Sequence, residues 1–150
     1  MVMRIEESIK QENFENDIAK VVINLLFTSG WLSAKLNSAL KPYKISLQQY
    51  NALRILKGQH PCPATLGLVQ ERMIDKMSNA TRLVDKLIDK GLVSRYQCPL
   101  NRRQVDILIT ERGIELLNQV KKQMLKFDQS FALSSGEALE LNQLLDKMRT

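Results

Sequence analysis

Ser78, Asn79, Thr81 and Arg82 stand together where a helix is expected to begin, and Lys86 follows Arg82 at a spacing of four. Short polar side chains and a guanidinium at one end of a helix suit the major groove of duplex DNA, where they can reach base edges and phosphates. Lys76 precedes this group, and Arg95, Arg102 and Arg103 follow it. With Lys90, residues 76–103 hold seven basic residues against two acids, Asp85 and Asp89. That is a net of +5 in a 150-residue chain whose total is +6. A basic stripe by itself is usually a solvated face. Here the excess sits on one helix and the segment after it, the footprint expected of an element that reads nucleic acid. Backbone amides at the helix start add a weak attraction for phosphate.

Other chemistries lack their residues. The chain has a single histidine, His60, in a stretch without a carboxylate or cysteine pattern, so it is expected to be a loop residue. No Ser/His/Asp set and no glycine-rich phosphate loop is present, which argues against an enzyme. Cys62 and Cys98 form no Cys-x-x-Cys or Cys/His pattern, so neither a metal site nor a cofactor is expected. They read as reduced thiols at loop positions, with a redox switch as the less favoured alternative. The composition, 44% apolar and 25% charged, is that of an ordinary globular domain. No apolar run approaches the roughly 20 residues of a membrane helix. Arg4, Glu6, Glu7 and Lys10 are unlike the apolar core of a secretory signal, so a cytoplasmic location is expected.

The basic residues need elements to position them. Residues 5–40 read as one helix, with Ile18, Val22, Leu25, Ser29, Leu32, Leu36 and Leu40 on a face and Pro42 ending it. Gly30-Trp31 within it marks a bend or a close crossing. Ser46 with Gln49 forms a capping box that opens a second helix, closed by Gly58. Pro61 and Pro63 make 59–63 an extended connector, and Thr65 caps a short third helix to about Met73. The fourth helix covers about 78–90. Ala80, Leu83, Val84, Leu87 and Ile88 face inward, Asn79, Arg82, Lys86 and Lys90 face outward, and Gly91 is the cap. The period then changes to two, with Val105, Ile107 and Ile109 alternating with Gln104, Asp106 and Leu108. Together with 92–97 and a turn at Pro99-Leu100-Asn101, this is a β-hairpin. A fifth helix from about Thr110 carries Leu117, Val120, Met124, Phe127 and Phe131. Ser134 with Glu137 opens a last one, with Ala138, Leu141, Leu145 and Met148 on one side.

Helix, turn, helix and hairpin in that order is a winged helix-turn-helix, giving a mainly α fold with a small β-wing. Tyr50–Leu56, Met77–Leu87, Lys90–Arg95, Asn101–Arg103 and Ile109-Thr110-Glu111-Arg112-Gly113 together resemble the multiple antibiotic resistance regulator (MarR) family over nearly the whole chain. The resemblance implies a single domain over 1–150. A DNA-binding lobe would occupy about 44–112, and dimerisation helices about 5–41 and 113–150. It implies a homodimeric transcriptional repressor that binds a pseudo-palindromic operator and is released by a small molecule. The implied DNA contacts are Lys76, Ser78, Asn79, Thr81, Arg82, Lys86, Arg95, Arg102 and Arg103. Phe27, Trp31, Tyr43 and Tyr50 are the aromatics placed to line a ligand pocket. The family's wing commonly has Asp where this chain has Asn101, two positions before Arg103. Asn101 can accept a hydrogen bond but carries no charge. The competing reading is a winged helix that docks an acidic protein partner.

Overall fold

The computed structural model describes residues 3–149. In chain order the elements are α1 (Ile5–Ile9), α2 (Asp17–Leu40), a 3-10 turn (Lys41–Tyr43), α3 (Leu47–Gln59), α4 (Leu66–Arg72), α5 (Ala80–Asp89), β1 (Val93–Cys98), β2 (Asn101–Ile109), α6 (Glu111–Gln129) and α7 (Ser135–Lys147). The result is a mainly helical fold with a two-stranded antiparallel wing.

Local signals set most boundaries. Ser46 and Gln49 exchange capping hydrogen bonds at the start of α3, as do Ser134 and Glu137 at the start of α7. Thr65 caps α4 by accepting the Leu68 N–H. Gly91 lies just past α5 at φ 70°, a left-handed position that a side chain would strain, with Lys90 the capping residue itself.

The single helix expected over 5–40 is broken. Lys10 takes a left-handed conformation at φ 55°, which ends α1, and Asn16 starts α2 afresh by accepting the Ala19 N–H at 2.8 Å. Residues 10–16 are polar apart from Phe14 and the apolar row begins only at Ile18, so the break lies where the pattern lapses. Gly30-Trp31 produces no break in α2, and beyond its own stretch of helix no atom of the described residues comes within 4 Å of where a Gly30 side chain would begin. The α3 helix runs one residue past Gly58, and α6 ends at Gln129, which leaves Phe131 beyond its helix.

The core gathers where the short elements meet. Leu53 and Leu56 of α3, Val69 of α4, Val84 and Leu87 of α5, Ile107 of β2 and Val120 of α6 are essentially fully buried. Ala64, just after the proline connector, adds a backbone bridge to Ile107 with two hydrogen bonds of 2.9 Å. The long helices contribute little. Leu40 is the only buried residue of α2, and α7 has none among its described residues.

Two features of β2 differ from strict alternation. Asp106, expected to face water, is buried and accepts a hydrogen bond from the Gln104 side-chain amide at 2.9 Å. The pairing also shifts between Gln97↔Val105 and Cys98↔Asn101, which leaves residues 102–104 in a bulge.

A candidate nucleic-acid interface on α5 and the wing

Alternate faces of α5 have separate tasks. Ala80, Val84 and Leu87 are buried, with Leu83 and Ile88 packed against the same core. Thr81, Arg82 and Lys86 are exposed, and their side chains have no hydrogen-bond or ion-pair partner among the described residues. Arg82 and Lys86, four apart, share one face.

The helix is shorter at its start than expected, and this changes the roles of two candidate contacts. Asn79 is the N-cap, and its Oδ1 accepts the Arg82 N–H at 3.0 Å. Ser78 lies outside the helix with its hydroxyl buried and without a hydrogen-bond partner, so it does not present the oxygen expected to reach a base. No residue nearby explains that unpaired hydroxyl. Gln70 of α4 reaches across the turn. Its Oε1 accepts the Ala80 N–H at 3.0 Å, and its Nε2 donates to the Lys76 carbonyl at 3.3 Å. Two amides at the start of α5 are thus already paired within the chain, which weakens the expected phosphate attraction there.

Other expected contacts are also engaged internally. The Lys76 ammonium turns back to the Glu71 carbonyl. Arg95 of β1 pairs with Asp85 of α5 at 2.8 Å, a strut that sets the wing against the helix. Lys90 was expected on the solvent stripe, but it donates to the Lys44 carbonyl and to the Gln49 side chain, fastening the end of α5 to the start of α3. Gln70 was not singled out from sequence, Gln49 was read only as the capping partner of Ser46, and Asp85 only as one of two acids in the basic stretch. The signal was a polar residue on or beside an inward face, which periodicity treats as noise.

The wing carries two exposed cations. Arg102 and Arg103 lie in the bulge, a device that re-aims side chains, and their guanidinium groups have no partner among the described residues. Asn101 Oδ1 accepts the backbone N–H of Arg103 at 3.1 Å. It orders the loop beneath the arginine without touching the guanidinium.

The four aromatics expected around one pocket occupy different places. Phe27 borders an open hollow of about 310 Å³ beside Arg4, Ile5 and Glu6. Tyr43 borders another of about 670 Å³, between the end of α5 and the start of α6, with Lys90, Arg112 and Leu116. Trp31 stands edge-on to Phe131 at 6.2 Å, with Lys35 Nζ 4.8 Å from its ring centre. Tyr50 packs against the core, and its hydroxyl accepts a hydrogen bond from Arg54. Phe27 and Trp31 share α2, Tyr43 lies on the 3-10 turn and Tyr50 on α3, and each packs against different neighbours.

His60 is an exposed loop residue after α3, and Cys62 and Cys98 are free thiols. No helix among the described residues is long and apolar enough to cross a membrane. No set of three potential metal ligands comes together among them.

Residues 45–105 match the model of the MarR family. The Bacillus subtilis HTH-type transcriptional regulator YhbI, itself uncharacterised, is 32% identical over 91 residues, spanning 61% of this chain and 58% of that protein. The chain therefore matches little more than half the length of that relative. The B. subtilis HTH-type regulator MhqR is 28% identical over 71% of this chain and 72% of its own. Among solved structures, mutant MarR from Escherichia coli complexed with operator DNA superposes with a TM-score of 0.75 at 22% identity, over 91% of this chain and 99% of that one. Bordetella bronchiseptica BpsR, whose DNA binding is regulated by 6-hydroxynicotinic acid, gives 0.74 at 20% identity, over 87% and 99%. These likenesses establish the fold across the flanking helices as well.

Proposed function

We propose, from the match of residues 45–105 to the MarR family model, that the chain is a transcriptional regulator of this family that binds duplex DNA as a homodimer and represses from a pseudo-palindromic operator. The observation that carries this reading is the set of exposed, unpartnered side chains on two linked elements: Thr81, Arg82 and Lys86 on α5, and Arg102 and Arg103 on the wing. The α5 face fits the major groove and the wing arginines the adjacent minor groove. Lys76, Asn79 and Arg95 hold the frame around them and remain near enough in sequence to add phosphate contacts.

The dimer reading rests on the long helices. Ile18 and Leu26 of α2 are each 71% exposed, and Leu139 and Leu144 of α7 are 61% and 54% exposed. Apolar rows this extensive at the two ends of one chain call for a covering surface. A second copy related by a two-fold axis covers both at once and sets two α5 helices about one DNA turn apart. In this organisation residues of about 44–112 form the DNA-binding lobe, and about 5–41 and 113–150 the dimerisation helices.

Release by a small molecule is the finer part of the proposal. The 670 Å³ hollow touches Lys90 and Gly91 at the foot of α5 and Arg112 and Leu116 of α6. A ligand seated there bears on α5 and on a dimerisation helix together, and regulation of BpsR by 6-hydroxynicotinic acid offers a parallel on the same fold. The test is Arg82→Ala against a duplex captured by the parent protein from fragments of its source genome. The variant is expected to lose binding by tenfold or more, roughly the weight of one good base contact, while sedimenting as the same dimer. Unchanged affinity would remove α5 as the reader.

A further inference from the structure

The wing ends in an apolar apex. Pro99 and Leu100 form the connection between β1 and β2, where glycine and short polar residues usually stand. Leu100 is 97% exposed, more than any other exposed large hydrophobic among the described residues. The apex does not depend on it for its shape. Asn101 Oδ1 holds the Arg103 N–H, and the Gln97 side-chain amide donates to the Arg102 carbonyl. An apolar side chain offered to water on an ordered tip, with two free arginines just past Asn101, is the pairing of types used by proteins that enter the minor groove.

We infer that Leu100 is a specificity-determining residue. On this reading, which rests on the DNA-binding proposal above, it lies against the minor-groove floor at the flanks of the site and selects A·T over G·C pairs. The reason is chemical. An A·T pair shows only acceptors there, whereas a G·C pair adds the guanine 2-amino donor. A leucine over that amino group displaces the water that would pair with it and supplies no acceptor, so the donor is left unsatisfied. Arg102 and Arg103 favour the same flanks for another cause, because a narrow A·T groove has a stronger negative potential. Leucine senses the amino group, while the arginines sense width.

The test uses the full chain and one duplex selected by it from a random-sequence pool, remade with A·T, G·C or inosine·C pairs at the flanks. Inosine keeps the major-groove edge of guanine and lacks the 2-amino group. The parent is expected to bind A·T and inosine·C flanks alike and G·C flanks about tenfold more weakly, in the range of a single unfavourable pair. Leu100→Met keeps that preference, and Leu100→Ser loses most of the gap between the inosine·C and G·C duplexes, keeping only the part the arginines draw from groove width. The inference is overturned if Leu100→Ser still distinguishes inosine·C from G·C as the parent does, or if the parent has no flank preference. A parent that binds no duplex at all overturns the DNA-binding reading instead.

Discussion

Arg82 and Lys86 are free because their neighbours are not. Asn79 spends its side chain capping α5, Gln70 holds the Ala80 amide, and Asp85 engages Arg95. The helix face that meets solvent is thus left with cations that have no partner among the described residues. The Asn79 cap can be weighed directly. Asn79→Ala should lower the unfolding free energy by about 1 kcal/mol in a denaturant titration, with Asn79→Asp close to the parent. An unaffected Asn79→Ala protein would mean that the cap contributes nothing. At this scale the sequence separated buried from exposed on α5 correctly, because a period of 3.6 sorts side chains by direction. It did not separate exposed and free from exposed and engaged. Ser78 and Lys90 show why: their partners, or lack of them, depend on residues brought near by the fold, such as Gln49, which lies 41 positions from Lys90.

Elements are joined here by small, identifiable devices. Gly113 sits in the first turn of α6, and a methyl group there would lie 2.3 Å from the Leu92 carbonyl oxygen and 2.7 Å from Ile109 Cγ1. Thr110 caps that helix through the Gly113 N–H and gives its own hydroxyl hydrogen to the Gly91 carbonyl at 2.8 Å. The Ile-Thr-x-x-Gly spacing therefore packs the base of the wing against α5 and α6 together. Gly113→Ala is expected to cost about 1–3 kcal/mol, because backbone must move to admit the methyl. Thermal unfolding at the parent temperature would contradict that. At the other end, Glu6 of α1 accepts a hydrogen bond from Lys20 of α2 at 2.6 Å. That bond, with a backbone hydrogen bond and the charge of Arg4, holds the Glu6 carboxyl at about 2 instead of 4.5. A depressed carboxyl contributes stability that is complete above about pH 4.5 and lost as pH falls towards 2. Following the Glu6 carboxyl by NMR should show no titration between pH 4 and 5, and Lys20→Met should restore one. A Glu6 transition near the ordinary value in the parent would break the link between α1 and α2. Capping boxes were readable from sequence because both partners lie within four residues. The Ala64–Ile107 bridge was not, since it is long-range, and the break at Lys10 was passed over although residues 10–16 are polar apart from Phe14 and end in a capping asparagine.

At the scale of the whole molecule, the short elements close a core and the long ones leave apolar rows in water. Sequence periodicity placed the exposed Ile18 and Val22 of α2 and Leu141 and Met148 on the α7 face in apolar rows, but it left out Leu26, Leu139 and Leu144 and could not say what covers any of them. Ile18 and Val22 remain exposed while Leu40, on the same row, is fully buried within the chain. In the dimer we propose, a second copy joins the rows, so that two α5 faces and two wings meet a single duplex. The most direct measurement of this account is the affinity for duplex DNA as a function of salt. Each phosphate neutralised by Arg82, Lys86, Arg102 or Arg103 should add about 0.9 to the slope of log affinity against log salt. The account predicts a steep loss of affinity with salt, and a slope shallower by about 0.9 for each copy's Arg82 when that residue is replaced by alanine. An affinity that hardly changes as salt is raised would contradict it and would turn the basic face towards a protein partner instead.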